Sequence, residues 1–300
     1  MRHTAWLGCV VAAVSIAQDF RSNVEIVVVP ATVVDAHGAA VAGLTRDQFQ
    51  VFDNDVRRPI QSFWVDNSQP ITLGVLIDTS ESQKDLIEEH RQTALALLER
   101  ILRPGDRAFV VSVNENVRLW ADFTANIAEL RKALAGSPNE ALGERCPASA
   151  CGSSPLWNAI YDAATLKLRP LTGNKALLIL TDGFDSGSGR TWQRAADAAT
   201  QADTSVYALQ YQSGFGGRFA PDLYRLVTAA GGTWFHARPG DYQDVATRIE
   251  TDLRHRYVLG FRPEQLSGKV RHNIRVEVDR PELVVRARTT YFREPGGEGK

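Results

Sequence analysis

The stretch Ile71-Thr72-Leu73-Gly74-Val75-Leu76-Ile77 constrains the fold of this chain more than any other. It lacks the polar alternation of a half-exposed strand, so it reads as a strand buried on both faces of a parallel sheet. Asp78-Thr79-Ser80-Glu81-Ser82 follows directly, and a helix-patterned segment comes next. Carboxylate and hydroxyl groups on the turn leaving such a strand sit at the sheet's carboxyl edge, where open α/β sheets bind ligands. Oxygen-only ligands suit a hard divalent cation, Mg²⁺ or Mn²⁺, rather than zinc.

Beyond residue 71 the pattern alternates strand with helix. Leu86, Ile87, Ala94, Leu97, Leu98 and Ile101 share one face of a helix expected over about 83–102, and Pro104-Gly105-Asp106 stops it. Further strands are expected over 108–113, 117–123, 176–180, 205–211 and 233–237. Helices are expected over 127–134, from Pro155 onward, and over 192–202, 221–230 and 242–256. This order predicts an α/β fold, a doubly wound and mostly parallel sheet. The segments 24–34, 49–52 and 60–65 before it, and 272–278 and 283–291 after it, are β-patterned. Asp53-Asn54-Asp55 reads as a hairpin turn between the second and third of these. Neither end is long enough for a stable sheet of its own. The two ends are therefore expected to pair into one small β-sandwich. The implied division is 1–17, 18–68, 69–256, 257–293 and a Gly-rich charged tail, 294–300.

The net charge of −1 gives no electrostatic case for nucleic acid or an anionic membrane. Basic pairs such as Arg57 and Arg58, or Arg254 and Arg256, read as solvated faces. Arg2, the mostly apolar stretch 5–17 and the small residues Ser15 and Ala17 read as a signal for export, cleaved before Gln18. No other segment approaches the roughly 18 apolar residues of a membrane span. Cys146 and Cys151, separated by four residues in a Pro- and Ala-rich loop, suit a local disulfide in an oxidising compartment. The chain is expected in the periplasm or outside the cell.

Three motifs together carry a resemblance. Asp78, Ser80 and Ser82 fit D-x-S-x-S; Gly152-Ser153-Ser154-Pro155-Leu156-Trp157-Asn158-Ala159-Ile160 is similar to G-G-T-x-L-x-x-A-I; and Thr181-Asp182-Gly183 ends an apolar run. In this order they resemble the von Willebrand factor A domain and its metal-ion-dependent adhesion site. The flanking β segments resemble those of bacterial exported proteins of the same type. The resemblance implies a metal site of Asp78, Ser80, Ser82, Ser154 and Asp182. It implies direct coordination by Ser80 and Ser82, action largely through water by Asp78 and Asp182, and recruitment of Ser154 in a high-affinity arrangement. It further implies that a protein partner's Asp or Glu fills the open position on Mg²⁺ or Mn²⁺. Family members couple such a change to a shift of the last helix, here about 241–256. Two positions depart from the pattern: Glu81 stands where glycine is frequent, and Ser154 replaces threonine.

The expected function is therefore adhesion or protein binding, without catalysis. A metal-independent scaffold of an envelope assembly is the alternative. Asp78-Thr79-Ser80 also resembles an aspartic-protease turn, but such enzymes need two aspartates sharing a proton. The nearest second string, Asp185-Ser186-Gly187, lies in a polar stretch. The chain has no G-x-S-x-G elbow and no H-E-x-x-H, and Gly214-Phe215-Gly216-Gly217 lacks the Lys-Ser/Thr of a phosphate loop.

Overall fold

The computed structural model describes residues 26–136, 140–141, 154–212, 219–238, 242–263 and 270–293. The segments 1–17 and 294–300, the glycine string 214–217, and Cys146 and Cys151 lie outside them.

Four strands come first: β1 (Val27–Val34), β2 (Phe49–Asp53), β3 (Val56–Arg58) and β4 (Ile60–Asp66). Asn54 and Asp55 turn the chain from β2 into β3 with φ of 49° and 64°, a left-handed geometry that Asn and Asp tolerate. The hairpin thus closes on β3 and not on β4, which was the expected partner. Pro59 follows β3, cannot donate to a ladder, and marks where the chain crosses to a different sheet.

Next come β5 (Ile71–Asp78), α1 (Ile87–Ile101), β6 (Arg107–Val113), β7 (Val117–Thr124), α2 (Ile127–Ala135) and the two-residue β8 (Glu140–Ala141). They are followed by α3 (Leu156–Asp162), β9 (Asn174–Thr181), α4 (Trp192–Gln201), β10 (Thr204–Gln210), α5 (Pro221–Ala229), β11 (Trp234–His236) and α6 (Tyr242–Arg254). The seven strands order as β11-β10-β9-β5-β6-β7-β8. From β11 to β6 neighbours are parallel; β7 and β8 run antiparallel. Every residue of β5 and β9 is buried, as an unbroken apolar run requires. Ile71, Leu73, Val75 and Ile77 face a cluster with Leu97, Leu98 and Ile101 of α1 and Ile249 and Leu253 of α6. On the other side Leu76, Leu177 and Ile179 meet Leu156, Ile160, Ala195 and Leu223 of α3, α4 and α5. Each fully buried Leu or Ile contributes roughly 1.5–3 kcal/mol, so both layers are driven by burial. The sheet is doubly wound. β6 lies on one side of β5 and β9 on the other, which makes the β5/β9 boundary the topological switch point.

The chain ends in β12 (Arg256–Phe261), β13 (Val270–Val278), β14 (Val284–Ala287) and β15 (Thr290–Arg293). Two four-stranded sheets, β14-β1-β12-β4 and β15-β13-β2-β3, face each other across Val29, Ala31, Phe49, Val51, Leu259, Phe261, Ile274 and Tyr291. Residues from both ends of the chain thus build one β-sandwich, as the patterning requires.

Two further expectations need correction. The α-helix begins at Ile87 and not near 83, because Glu81–Leu86 winds as a tighter 3₁₀ segment. Arg254 and Arg256 are not on a solvated face: the Arg254 side chain is 10% exposed, and Arg256 is 5% exposed. Arg254 pairs with Asp106 and donates to the Ile101 carbonyl at the end of α1. Asp106 in turn accepts from the Ile71 amide at the start of β5. The Asp252 and Leu253 carbonyls of α6 accept from Thr32 and Asn174. The last helix is therefore tied at its C-terminal end to α1, β1 and β9. No helix among the described residues is long and apolar enough to cross a membrane.

Candidate metal centre

Asp78 ends β5 and Asp182 follows β9, so the switch point brings two carboxylates to one edge of the sheet. Asp78 is fully buried, and burial raises its carboxyl above the usual range. Hydrogen bonds oppose that shift: Oδ1 accepts the Ser80 amide at 3.0 Å and the Ser154 hydroxyl at 3.4 Å, and Oδ2 accepts Thr181 Oγ1 at 2.7 Å. Asp182 is also buried. Its Oδ1 accepts the Phe184 amide at 3.1 Å, and its Oδ2 accepts Ser82 Oγ at 2.8 Å and Gln83 Nε2 at 3.1 Å. Ser80 Oγ lies 3.2 Å from Ser82 Oγ. All five residues singled out in the sequence are thus joined in one network, Ser154–Asp78–Ser80–Ser82–Asp182.

The donor set is two carboxylates and three hydroxyls. A Mg²⁺ ion at about 2.1 Å from each ligand sets adjacent ligand oxygens about 3.0 Å apart. The side-chain oxygens here are separated by 2.8, 3.2 and 3.4 Å along the network. These are hydrogen-bond distances within two groups, Ser154–Asp78 and Ser80–Ser82–Asp182, joined through the Ser80 amide; it is the all-oxygen donor chemistry that fits a hard divalent cation. Glu81 stands apart: its side chain is 83% exposed and pairs with Lys84 at 2.7 Å.

Several residues around the centre carried no sequence signal of this role. The loop after Asp182 caps α3. The Ser154 amide donates to Ser186 Oγ, the Trp157 amide to Asp185 and the Asn158 amide to Ser188 Oγ. Asp185-Ser186-Gly187, read as a weak protease-like string, is thus the brace that holds Ser154 in place. Gln210 of β10 donates from Nε2 to the Asp182 carbonyl at 2.9 Å and accepts Trp234 Nε1–H at 3.0 Å. Gln210→Leu leaves that carbonyl and that indole unmatched, at about 1–3 kcal/mol for each group that stays dry. Urea unfolding should therefore show a loss of roughly 2–4 kcal/mol; an unchanged midpoint would contradict this anchoring role.

Gln83 and His90 are the other two. Gln83 was read as a helix-start residue, yet it is fully buried with its amide on Asp182. His90 is fully buried beneath the strand end, 3.2 Å from the Asp78 carbonyl through Nδ1 and 4.1 Å ring to ring from Tyr211. Burial holds its pKa down to about 4. Between pH 6.5 and 4 the unfolded chain therefore takes up a proton that the folded chain refuses, and stability falls as pH falls through that window. The shift is worth about 3 kcal/mol. His90→Asn keeps a donor near the Asp78 carbonyl and removes the titration. Its stability should lose about 3 kcal/mol less than wild type between pH 7 and pH 4; parallel stability–pH curves would overturn the assignment.

No family model and no curated protein matches the chain. Solved structures similar to it include a von Willebrand factor type A protein from Catenulispora acidiphila (11% identity, 80% of this chain and 75% of that one, TM-score 0.46). Another is the vWF domain of the type V pili tip protein Mfa5 from Porphyromonas gingivalis (12% identity, 62% and 97% covered, TM-score 0.47). A third is proximal thread matrix protein 1 from the mussel byssus with a zinc-occupied MIDAS motif (12% identity, 68% and 50% covered, TM-score 0.48). At these identities the likeness is one of fold; the zinc belongs to the mussel protein.

Proposed function

We propose that this chain is an exported module that binds a protein partner through a divalent cation, Mg²⁺ or Mn²⁺. Asp78, Ser80, Ser82, Ser154 and Asp182 would hold the ion, and an Asp or Glu of the partner would complete its shell. The observation that carries this reading is the meeting of those five residues in one hydrogen-bonded network at the switch point. Around the ion this chain's own groups have distinct tasks. Thr181 and the Ser80 amide hold the Asp78 carboxylate, Gln83 and the Phe184 amide hold that of Asp182, and the 185–188 loop holds Ser154. When bound, the ion would supply a positive charge that offsets two buried carboxylates and attracts a third from outside.

The same geometry argues for binding over proteolysis. Asp78 and Asp182 make no hydrogen bond to each other among the described residues; each is held by its own donors. A protease dyad shares a proton between its two carboxyl groups. One observation favours a metal-independent scaffold as second reading. The hydroxyls of the centre already find acceptors within it, so the loops have a cohesive arrangement of their own.

Capture of Asp- or Glu-bearing peptides from a random library on the immobilised chain separates these readings. Enrichment of acidic peptides in Mg²⁺ that is lost in EDTA is the expected result. Equal capture in both buffers would favour the scaffold, and acid-dependent cleavage of the peptides would favour the protease.

A further inference from the structure

A second polar centre lies on the far side of the sheet from this one, where the amino ends of β9 and β10 meet the β-sandwich. A small cavity of about 30 Å³ opens there, lined by Tyr207, Asp252, Arg256, Arg286 and Arg288 among others. A space of that size holds about two waters or one ion of chloride size.

Charge does not balance around it. The Asp252 carboxylate is 3% exposed and feels three guanidiniums, those of Arg286, Arg248 and Arg256. It pairs directly with Arg286 at 2.6 Å. Arg256 is buried, and its hydrogen bonds go to neutral acceptors only: the Asp252 carbonyl, Asn174 Oδ1 and Ser205 Oγ. Arg288 is satisfied separately by the exposed Asp203. Arg256 therefore shares the Asp252 carboxylate with Arg286, and a buried cation with only a shared counter-charge is costly. Two donors at the same cavity lack an acceptor: the hydroxyl of the fully buried Tyr207, whose neighbour Arg256 is itself a donor, and Arg288 Nε. Positive charge and donors in excess of acceptors both suit a small acceptor with negative charge.

We propose that this cavity is a binding site for a chloride-sized monovalent anion that joins the doubly wound α/β unit to the β-sandwich. The anion accepts from Tyr207 Oη and from the neighbouring guanidiniums, and it balances Arg256. Arg256 is the first residue of β12, and Asp252 belongs to α6. The site therefore stands where the chain passes from the last helix into the sandwich. It is independent of the metal centre and does not require it.

Thermal unfolding of the full chain in sodium chloride against sodium gluconate at constant ionic strength tests the site. A saturable rise in Tm of about 2–4 °C with chloride is expected. Tyr207→Phe and Arg256→Gln should each flatten that dependence. If a variant fails to fold, crystals of the wild type grown in sodium bromide decide alone, with an anomalous peak expected between Tyr207 and Arg256. A chloride response that is absent, or that survives both substitutions, would overturn the proposal. So would bromide-grown crystals with only water in the cavity.

Discussion

Gly183→Ala should destabilise the protein by about 3 kcal/mol or more, the largest loss expected from a single methyl at the candidate metal centre. Gly183 has φ of +85°, a conformation that costs residues with a Cβ roughly 1–2 kcal/mol. Space is also lacking: a Cβ there would lie 2.5 Å from Ala220 Cβ and 3.0 Å from Leu223 Cδ2. Overpacking of this kind adds about 1–3 kcal/mol. The two causes separate experimentally. Ala220→Gly in the same chain relieves the main clash and leaves the backbone strain, so it should recover about half of the loss. Urea midpoints of the single and double variants measure both parts. A single variant as stable as wild type would mean that the turn after Asp182 is not held as described.

Asp78→Asn carries the largest expected effect on ligand affinity. The substitution keeps the shape and removes one of two negative charges next to the proposed ion. A loss of at least about 100-fold in Mg²⁺ affinity is expected, some 2.7 kcal/mol. Folding in the absence of the ion should lose only about 1 kcal/mol, the hydrogen bond from Thr181 Oγ1 to Oδ2, because burial already disfavours the Asp78 charge. That contrast distinguishes a ligand-binding carboxylate from a purely structural one. A structural Asp78 would give the reverse: a large loss of stability and an unchanged response to Mg²⁺.

Much of the architecture was legible because continuous burial writes a continuous apolar string. β5 and β9 show it, and the position of Asp78 and Asp182 at their ends follows from strand direction alone. The five candidate residues were singled out because their three motifs, taken in order, resemble the von Willebrand factor A domain; any one motif alone reads as an ordinary turn or helix cap. The supporting shell was not. Gln83 and His90 are polar residues of ordinary types in a helix-like stretch, and burial is conferred on them by strands far away in sequence. Asp185, Ser186 and Ser188 look like any polar loop until α3 is placed against them. Arg254 and Arg256 were misread for the same reason: a cation is solvated by default, and only the tertiary contacts with Asp106, Asn174 and Ser205 bury it. The crossing from β3 to β4 was hidden because a two-residue turn fixes the next strand but not the one after Pro59.

The most direct test of the central claim is calorimetric titration of the folded wild-type chain with Mg²⁺ and with Mn²⁺. A metal site at this sheet edge predicts one saturable binding event for either ion, weakened by at least about 100-fold in metal-free Asp78→Asn protein titrated in the same EDTA-free buffer. A folded chain that binds neither ion would contradict it and leave the network of Asp78, Ser80, Ser82, Ser154 and Asp182 as a structural brace.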